Sequence, residues 1–190
     1  LATLFAVPGM TAFRSARQQV LLAADLFLAA ITQALLPKMA SRGSGRVIIV
    51  SSIAGVLPGP SFGPYAMTKH SLEAMGKAMR AELAPAGIDV TLINPGPYNT
   101  GFNDRMAASM WEWFGAGAIS APATDLLRAI GTMVTTNQLD PVDVANKLVE
   151  LVEAETTQEN NFMPTAMEIA PKLKGATLLS LCSPLNPTGT

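Results

Sequence analysis

Tyr65 and Lys69 stand four residues apart at the end of the stretch Ser51 to Lys69, SSIAGVLPGPSFGPYAMTK. Four residues are about one helical turn, so the phenol and the ammonium can share one face. That geometry lets a cation stabilise a phenolate. A tyrosine of reference pKa about 10 is a poor base at neutral pH, and each unit of lowering takes roughly 1.4 kcal/mol of differential stabilisation of its anion. A fixed positive charge close by is one of the few ways to supply it, and the phenol then becomes an acid/base for a bound substrate. The plainer reading of the same spacing is an amphipathic helix with two polar tips that snorkel to solvent. Two further features lie at fixed distances from the pair: Ser52, thirteen residues before Tyr65, and the turn Asn94 to Thr100, NPGPYNT.

The flanking elements must bring these groups together. Ser41 to Arg46, SRGSGR, is a Gly/Ser turn feeding a strand over Arg46 to Ser51. Its unbroken Val-Ile-Ile-Val run predicts a parallel strand covered on both faces. Ser51 and Ser52 close that strand. Adjacent strand side chains alternate between faces, so only one of the two points into a site. A Pro/Gly-rich loop, Gly55 to Pro64, leads into a helix from Tyr65 to about Ala84, with Leu72, Met75, Met79 and Leu83 as its core stripe. His70 is rotated about 100° from Lys69 around that helix and reads as a surface or helix-interface histidine. Pro85 to Gly87 stops the helix, and Ile88 to Ile93 returns as a second strand, a crossover between parallel strands. Gly96 then allows close backbone approach to a bound ring, between the stiffening Pro95 and Pro97.

Upstream, Arg17 to Met39 is predicted as a long helix, apolar almost all round through Val20, Leu21, Ala24, Leu28, Ile31 and Leu35, and therefore buried against more than one layer. Downstream, Gly101 to about Leu139 concentrates Met106, Met110, Trp111, Trp113 and Phe114. Asp140-Pro141 opens a helix with Val144, Leu148, Leu151 and Val152 on one face, and NNFMP, from Asn160, is a candidate last strand. Leu1 to Gly9 is short and apolar enough for a buried strand ending in a Pro-Gly turn.

A strand ending in Ser, a helix opening with Tyr-x-x-x-Lys, and a strand ending in Asn-Pro-Gly resemble the second half of a short-chain dehydrogenase/reductase. The resemblance runs from about Val20 to about Thr165 and is most specific from Arg46 to Thr100. It implies an α/β fold, a Rossmann-like doubly wound parallel sheet, here incomplete with its first strands absent. It also implies NAD or NADP as cofactor and an alcohol or carbonyl compound as small-molecule substrate. By that resemblance Ser52, Tyr65 and Lys69 are catalytic. Ser52 donates a hydrogen bond to the substrate oxygen, Tyr65 gives or takes the hydroxyl proton, and Lys69 holds the ribose hydroxyls. Pro95, Gly96 and the backbone of Tyr98 would face the nicotinamide and its carboxamide, with Thr100 bonding the amide or a phosphate. The aromatic-rich region after Gly101 would be a substrate-covering segment. The long helix would join a dimer interface as well as the sheet, in a homodimer or homotetramer.

Two family positions depart from the pattern. The usual Asn-Asn-Ala-Gly falls on Ala6, Val7, Pro8 and Gly9, where only the glycine matches. The proton-relay asparagine of the long helix falls on Ala24, or on Asp25 with a one-residue slip. The Gly-rich turn that cradles a pyrophosphate is not in these residues. The chain starts at Leu1, without methionine, as expected of a fragment lacking its beginning. The rival expectation is a truncated homologue, inactive alone, that serves as a folding or dimerisation partner. An epimerase or dehydratase of the extended family is a third, which the length and the Asn-Pro-Gly turn disfavour.

Bulk properties agree with one globular domain. The 190 residues are 49% hydrophobic and 14% charged, and the net charge of −1 comes without a basic run, which excludes the usual footprint of a nucleic-acid or anionic-membrane binder. The run Val20 to Ile31 is twelve residues long and contains Asp25, too short and too polar to span a membrane. Single residues at Cys182 and His70 exclude an internal disulfide and histidine- or cysteine-rich metal sites. The expectation is therefore a cytoplasmic enzyme, with residues 1–170 as a partial nucleotide-binding domain and residues 171–190 as a loose tail.

Overall fold

The computed structural model describes residues 16–60, 62–110 and 124–163, with side chains from Phe27 onward apart from residues 109–110. The expectations for Leu1 to Gly9, for Ala24 and Asp25, for Met110, Trp111, Trp113 and Phe114, and for the tail fall outside those residues and side chains. The order is α1 (Ala16–Arg42), β1 (Gly45–Val50), α2 (Gly63–Leu83), β2 (Ile88–Asn94), α3 (Phe102–Met110), α4 (Thr124–Thr136), α5 (Val142–Glu153) and β3 (Asn160–Phe162). Short 3₁₀ turns, Ile53–Gly55 and Ala84–Ala86, follow β1 and α2.

The strands form one parallel sheet in the order β1-β2-β3, with Gly45 opposite Ile88, Val50 opposite Ile93, and Leu92 opposite Asn160. β2 is central, and every residue of it except Asp89 is buried. Its alternation divides the core. Ile88, Val90 and Leu92 join Ile49 and Leu72 on the side where Met75, Met79 and Leu83 of α2 pack, as the stripe on that helix predicts. Ile93 turns the other way, to Tyr98, Leu151 and Met163, with Val144 and Leu148 of α5 against them. Such two-sided burial is what an all-parallel sheet requires of its middle strand.

The return from α2 to β2 needs glycine at one point. Gly87 has φ +72°, and a Cβ there would stand 2.1 Å from the Gly43 carbonyl oxygen, so the turn before β2 lies against the turn before β1.

Three burial expectations are corrected. β1 is not covered on both faces: Gly45 to Ile48 are half-buried and Val50 is 46% exposed. Among the described residues β1 has a strand on one edge only. α1 is also less buried than its composition predicts. Leu36 and Met39 pack on the core, while Phe27, Leu28, Ile31 and Leu35 are exposed. Its apolar breadth exceeds what the described core covers. On α5, Val144, Leu148 and Leu151 face inward at spacings of four and three, but Val152 is exposed, one residue and about 100° past Leu151.

The amino end of the sheet is held by charge. Arg46 of β1 donates Nε–H to Asp89 Oδ2 (3.1 Å) and Nη1–H to the carbonyls of Leu151, Val152 and Ala154 (2.6, 3.0 and 2.6 Å). One guanidinium thereby serves the otherwise unpaired carbonyls at the carboxyl end of α5 and complements its dipole. Arg80 of α2 reaches the other oxygen of Asp89 (2.9 Å) and the Thr157 carbonyl (2.5 Å), and also bonds the Val90 carbonyl. Thr157 Oγ1 donates to Asp89 Oδ2 at 2.8 Å.

Candidate active site

At the opposite, carboxyl end of the sheet the chain leaves β1 and β2 through adjacent loops. The two loops are zipped by backbone: Ser51 N–H donates to Ile93 O (2.9 Å) and Ile53 N–H to Pro95 O (3.0 Å). Ser52 is extended, φ −168° and ψ 161°, and caps the 3₁₀ turn, its Oγ accepting from Ala54 N at 3.1 Å. The same hydroxyl lies 3.4 Å from Pro95 O, a long donor contact. The turn packs tightly on α2. A Cβ on Gly55 would stand 2.7 Å from Ser51 Oγ, 3.0 Å from Lys69 O and 3.1 Å from Glu73 Cγ.

α2 starts with Gly63-Pro64, proline being suited to the first helical positions. It therefore presents Tyr65 and Lys69 in its first two turns, at the mouth of the sheet. Lys69 Nζ lies 5.8 Å from the centre of the Tyr65 ring and donates to the carbonyl of Val50, the last residue of β1, at 3.1 Å. The Tyr65 ring meets Phe102, the first residue of α3, with centroids 5.5 Å apart and planes at 46°. His70 is exposed, with Nδ1 2.8 Å from Ala66 O, and does not line the cleft described next.

A cleft of about 590 Å³ opens at this end, within the range of small-molecule sites. All the residues singled out from the sequence line it: Ser52, Tyr65, Lys69, Pro95, Gly96, Tyr98 and Thr100. Ser51 lines it too, so the pair does not divide cleanly between two faces. Ser51 Oγ is the buried side-chain polar atom that lacks a hydrogen-bond partner among the described residues. The remaining wall is mostly apolar, from Leu28, Val50 and Phe102 to Pro141, Val144 and Leu148 on and beside α5. Lys69 is the one charged residue of this described lining.

The loop after β2 is held by Leu139 and by Asn103, the latter itself lining the cleft. Tyr98 is buried, and its backbone bridges to Leu139, with Asn99 N–H donating to Leu139 O (2.9 Å) and Leu139 N–H to Pro97 O (3.0 Å). Asn103 Nδ2 donates to Tyr98 O (3.2 Å) and to Gln138 Oε1 (2.8 Å). The Tyr98 side chain is a core group, as part of the Ile93 cluster. Thr100 is exposed and accepts a 3.4 Å contact from Phe102 N–H.

A family model described as short chain dehydrogenase matches residues 27–111, from α1 through both cleft loops to the end of α3. The uncharacterised oxidoreductase YbbO of Escherichia coli K12 is 45% identical over 76 residues, covering 40% of this chain and 28% of that protein. Over this stretch the chain is similar to the short-chain dehydrogenases. A solved short-chain dehydrogenase from Streptomyces avermitilis shares the fold at a TM-score of 0.65 and 25% identity, covering 90% of this chain and 57% of that one. L-Sorbose reductase from Gluconobacter frateurii, solved with NADPH and L-sorbose, does so at 0.58 and 23%, covering 80% and 58%. The chain thus spans less than two thirds of each of these three proteins. The Rossmann-type α/β class expected from the motifs holds, with three parallel strands among the described residues.

Three contributors to the cleft and its surroundings were not legible as such. Phe102 follows the Gly101 turn and gave no signal beyond its bulk. Glu73 is 5% exposed, although a glutamate amid helix polar residues reads as solvent-facing. Its spacing was the available signal: residues 65, 69 and 73 recur every fourth position on one helix stripe. Asn160 completes Glu73's surroundings from β3, and nothing local to its sequence marks that partnership. No group of three or more His, Cys, Asp or Glu residues placed to hold a metal occurs among the described residues.

Proposed function

We propose that this chain carries the catalytic part of an NAD(P)-dependent oxidoreductase that interconverts an alcohol and a carbonyl compound. The observation that carries the reading is the convergence of Ser52, Tyr65, Lys69 and the Pro95–Thr100 turn on one cleft beyond the carboxyl ends of β1 and β2, where open parallel sheets bind ligands. In oxidation, Tyr65 takes the proton of the substrate hydroxyl, and in reduction it returns one to the carbonyl oxygen. The Lys69 ammonium beside the ring favours the phenolate form that this needs, and it is also placed to hold sugar hydroxyls. Ser52 turns its hydroxyl hydrogen from the long Pro95 contact to the substrate oxygen, which it orients and polarises. When bound, NAD or NADP supplies the hydride acceptor or donor.

The described lining fits such a cofactor. It offers an apolar wall for a ring, a glycine where backbone must come close, and one cation with no carboxylate to repel a diphosphate. The apolar wall also suits a hydrophobic alcohol or ketone. No described helix is long and apolar enough to cross a membrane, and a cytoplasmic location is part of the proposal. The exposed apolar residues of α1 support the expected homodimer or homotetramer, which sedimentation would check.

The test is a titration of the full chain with NADH and NADPH, followed by nicotinamide fluorescence, and then a panel of ketones. Saturable binding that Lys69→Ala weakens about tenfold or more, with turnover lost in Tyr65→Phe, is the expected result. A folded chain that binds neither nucleotide would overturn the proposal.

A further inference from the structure

Two turns below Tyr65 on the same stripe of α2, Glu73 points into the protein rather than out of it, and its side chain is 6% exposed. A buried carboxylate is expensive unless it is paired and hydrogen-bonded. Here both oxygens are used. Asn94 Nδ2 donates to Oε1 at 2.6 Å, and Asn160 Nδ2 donates to Oε2 at 2.8 Å, with Lys77 Nζ 3.9 Å from Oε2. Asn160 Nδ2 also donates to Asn94 Oδ1 at 3.0 Å, closing a ring of three side chains from α2, β2 and β3.

The ring has one outlet toward the cleft. The second Asn94 Nδ2 hydrogen goes to the backbone carbonyl of Ser52, at 3.2 Å. Asn94 is itself the residue before Pro95-Gly96. A carboxylate can only accept, so it fixes the orientation of both amides, and with them the hydrogen that reaches Ser52. A glutamine offers one acceptor where two donors arrive, and a hydrophobic residue offers none. The need for two acceptors at one point explains a buried charge beside Leu72, which packs into the apolar core with Ile49 and Leu92.

We propose that Glu73 is a positioning residue: through Asn94 it sets the Ser52 loop and the Pro95–Gly96 turn in register with the Tyr65–Lys69 pair carried by its own helix. Its consequence for turnover rests on the oxidoreductase reading, whereas its consequence for the loops does not. Tyr65, Lys69 and Glu73 lie along about 12 Å of one rigid helix. A shift of the loops relative to Glu73 is therefore a shift of Ser52 relative to Tyr65.

The experiment uses the full chain with Glu73→Ala and Glu73→Gln, read first by amide hydrogen exchange. The Ser51 and Ile53 amides, which zip the two loops, are expected to exchange about tenfold faster in Glu73→Ala. In Glu73→Gln the change is smaller in the same direction, while Val90 and Leu92 amides keep their protection. If Glu73→Ala does not fold, the isosteric Glu73→Gln carries the comparison alone. Unchanged Ser51 and Ile53 amides, or an equal acceleration along β2, would overturn the proposal in favour of plain stability. The second reading is ketone turnover. Glu73→Gln should lower kcat about tenfold with little change in KM, and the loss should shrink when Ser52→Ala is already present. A loss of full size on the Ser52→Ala background would sink positioning through Ser52. A wild-type chain that binds no NADH but shows the local exchange change would overturn the activity and retain the positioning.

Discussion

The two ends of the sheet use polar groups in opposite ways. At the amino end, Arg46, Arg80 and Asp89 bond one another and the carbonyls of α5 and of the segment after it, so their charge is spent inside the protein. At the carboxyl end the polar groups face a cleft. Ser52 makes one long donor contact, Ser51 Oγ has no hydrogen-bond partner among the described residues, and Lys69 stands at the rim against a strand-end carbonyl. One strand, β2, carries both regimes, from Asp89 to Asn94. Charge density alone therefore does not mark the cleft here: the charged end is bonded within the fold, and the cleft opens at the end where Lys69 is the one charged residue of the described lining.

That contrast breaks most visibly at Tyr65. On the proposed mechanism Tyr65→Phe removes the acid/base group, so kcat should fall by about 10²–10⁴-fold while the urea midpoint stays where it was. Asp89→Ala is the mirror experiment. It leaves two guanidiniums without their shared carboxylate, and with Asp89 one quarter exposed we expect a loss of about 2 kcal/mol in urea unfolding. NADH affinity of the folded fraction should be unchanged, and a parallel fall in affinity would show that the two ends are not separate.

Gly55→Ala tests the border between them. Its Cβ would meet Ser51 Oγ and the Lys69 carbonyl inside normal contact distance. The 3₁₀ turn must move, at a cost of about 1–2 kcal/mol by thermal unfolding, and turnover should fall with it because Ser52 caps that turn. Stability lost with turnover intact would place Gly55 on the structural side only. The smallest effect is expected at Val152, which is 66% exposed. Val152→Thr should change unfolding by no more than about 0.5 kcal/mol, and a larger loss would mean that the outer face of α5 is covered in solution.

Legibility in the sequence followed the range of the physics involved. The β1-α2-β2 unit could be read because a β-branched run, a glycine stop and a helical stripe are local signals, and the Ser52, Tyr65 and Lys69 spacing follows from that unit. What covers an element is not local. Periodicity identified the apolar residues of α1 and grouped Val152 with Leu151, but it could not tell whether a neighbour lies over Phe27 or Ile31, nor resolve a step of one residue at the edge of a stripe. Glu73 escaped for a related reason. Its burial depends on two asparagines, one 21 and the other 87 residues away, and a lone glutamate is ordinarily solvated.

Arg46 has a role at a distance that its own surroundings conceal. The helix whose terminal carbonyls it gathers, α5, is about 18 Å long, and Pro141, Val144 and Leu148 toward its other end stand in the wall of the cleft. α5 is thus a strut, anchored by a guanidinium at its foot and bearing a binding surface at its head. One wall of the cleft thereby stands on an arginine that is not among the residues lining it.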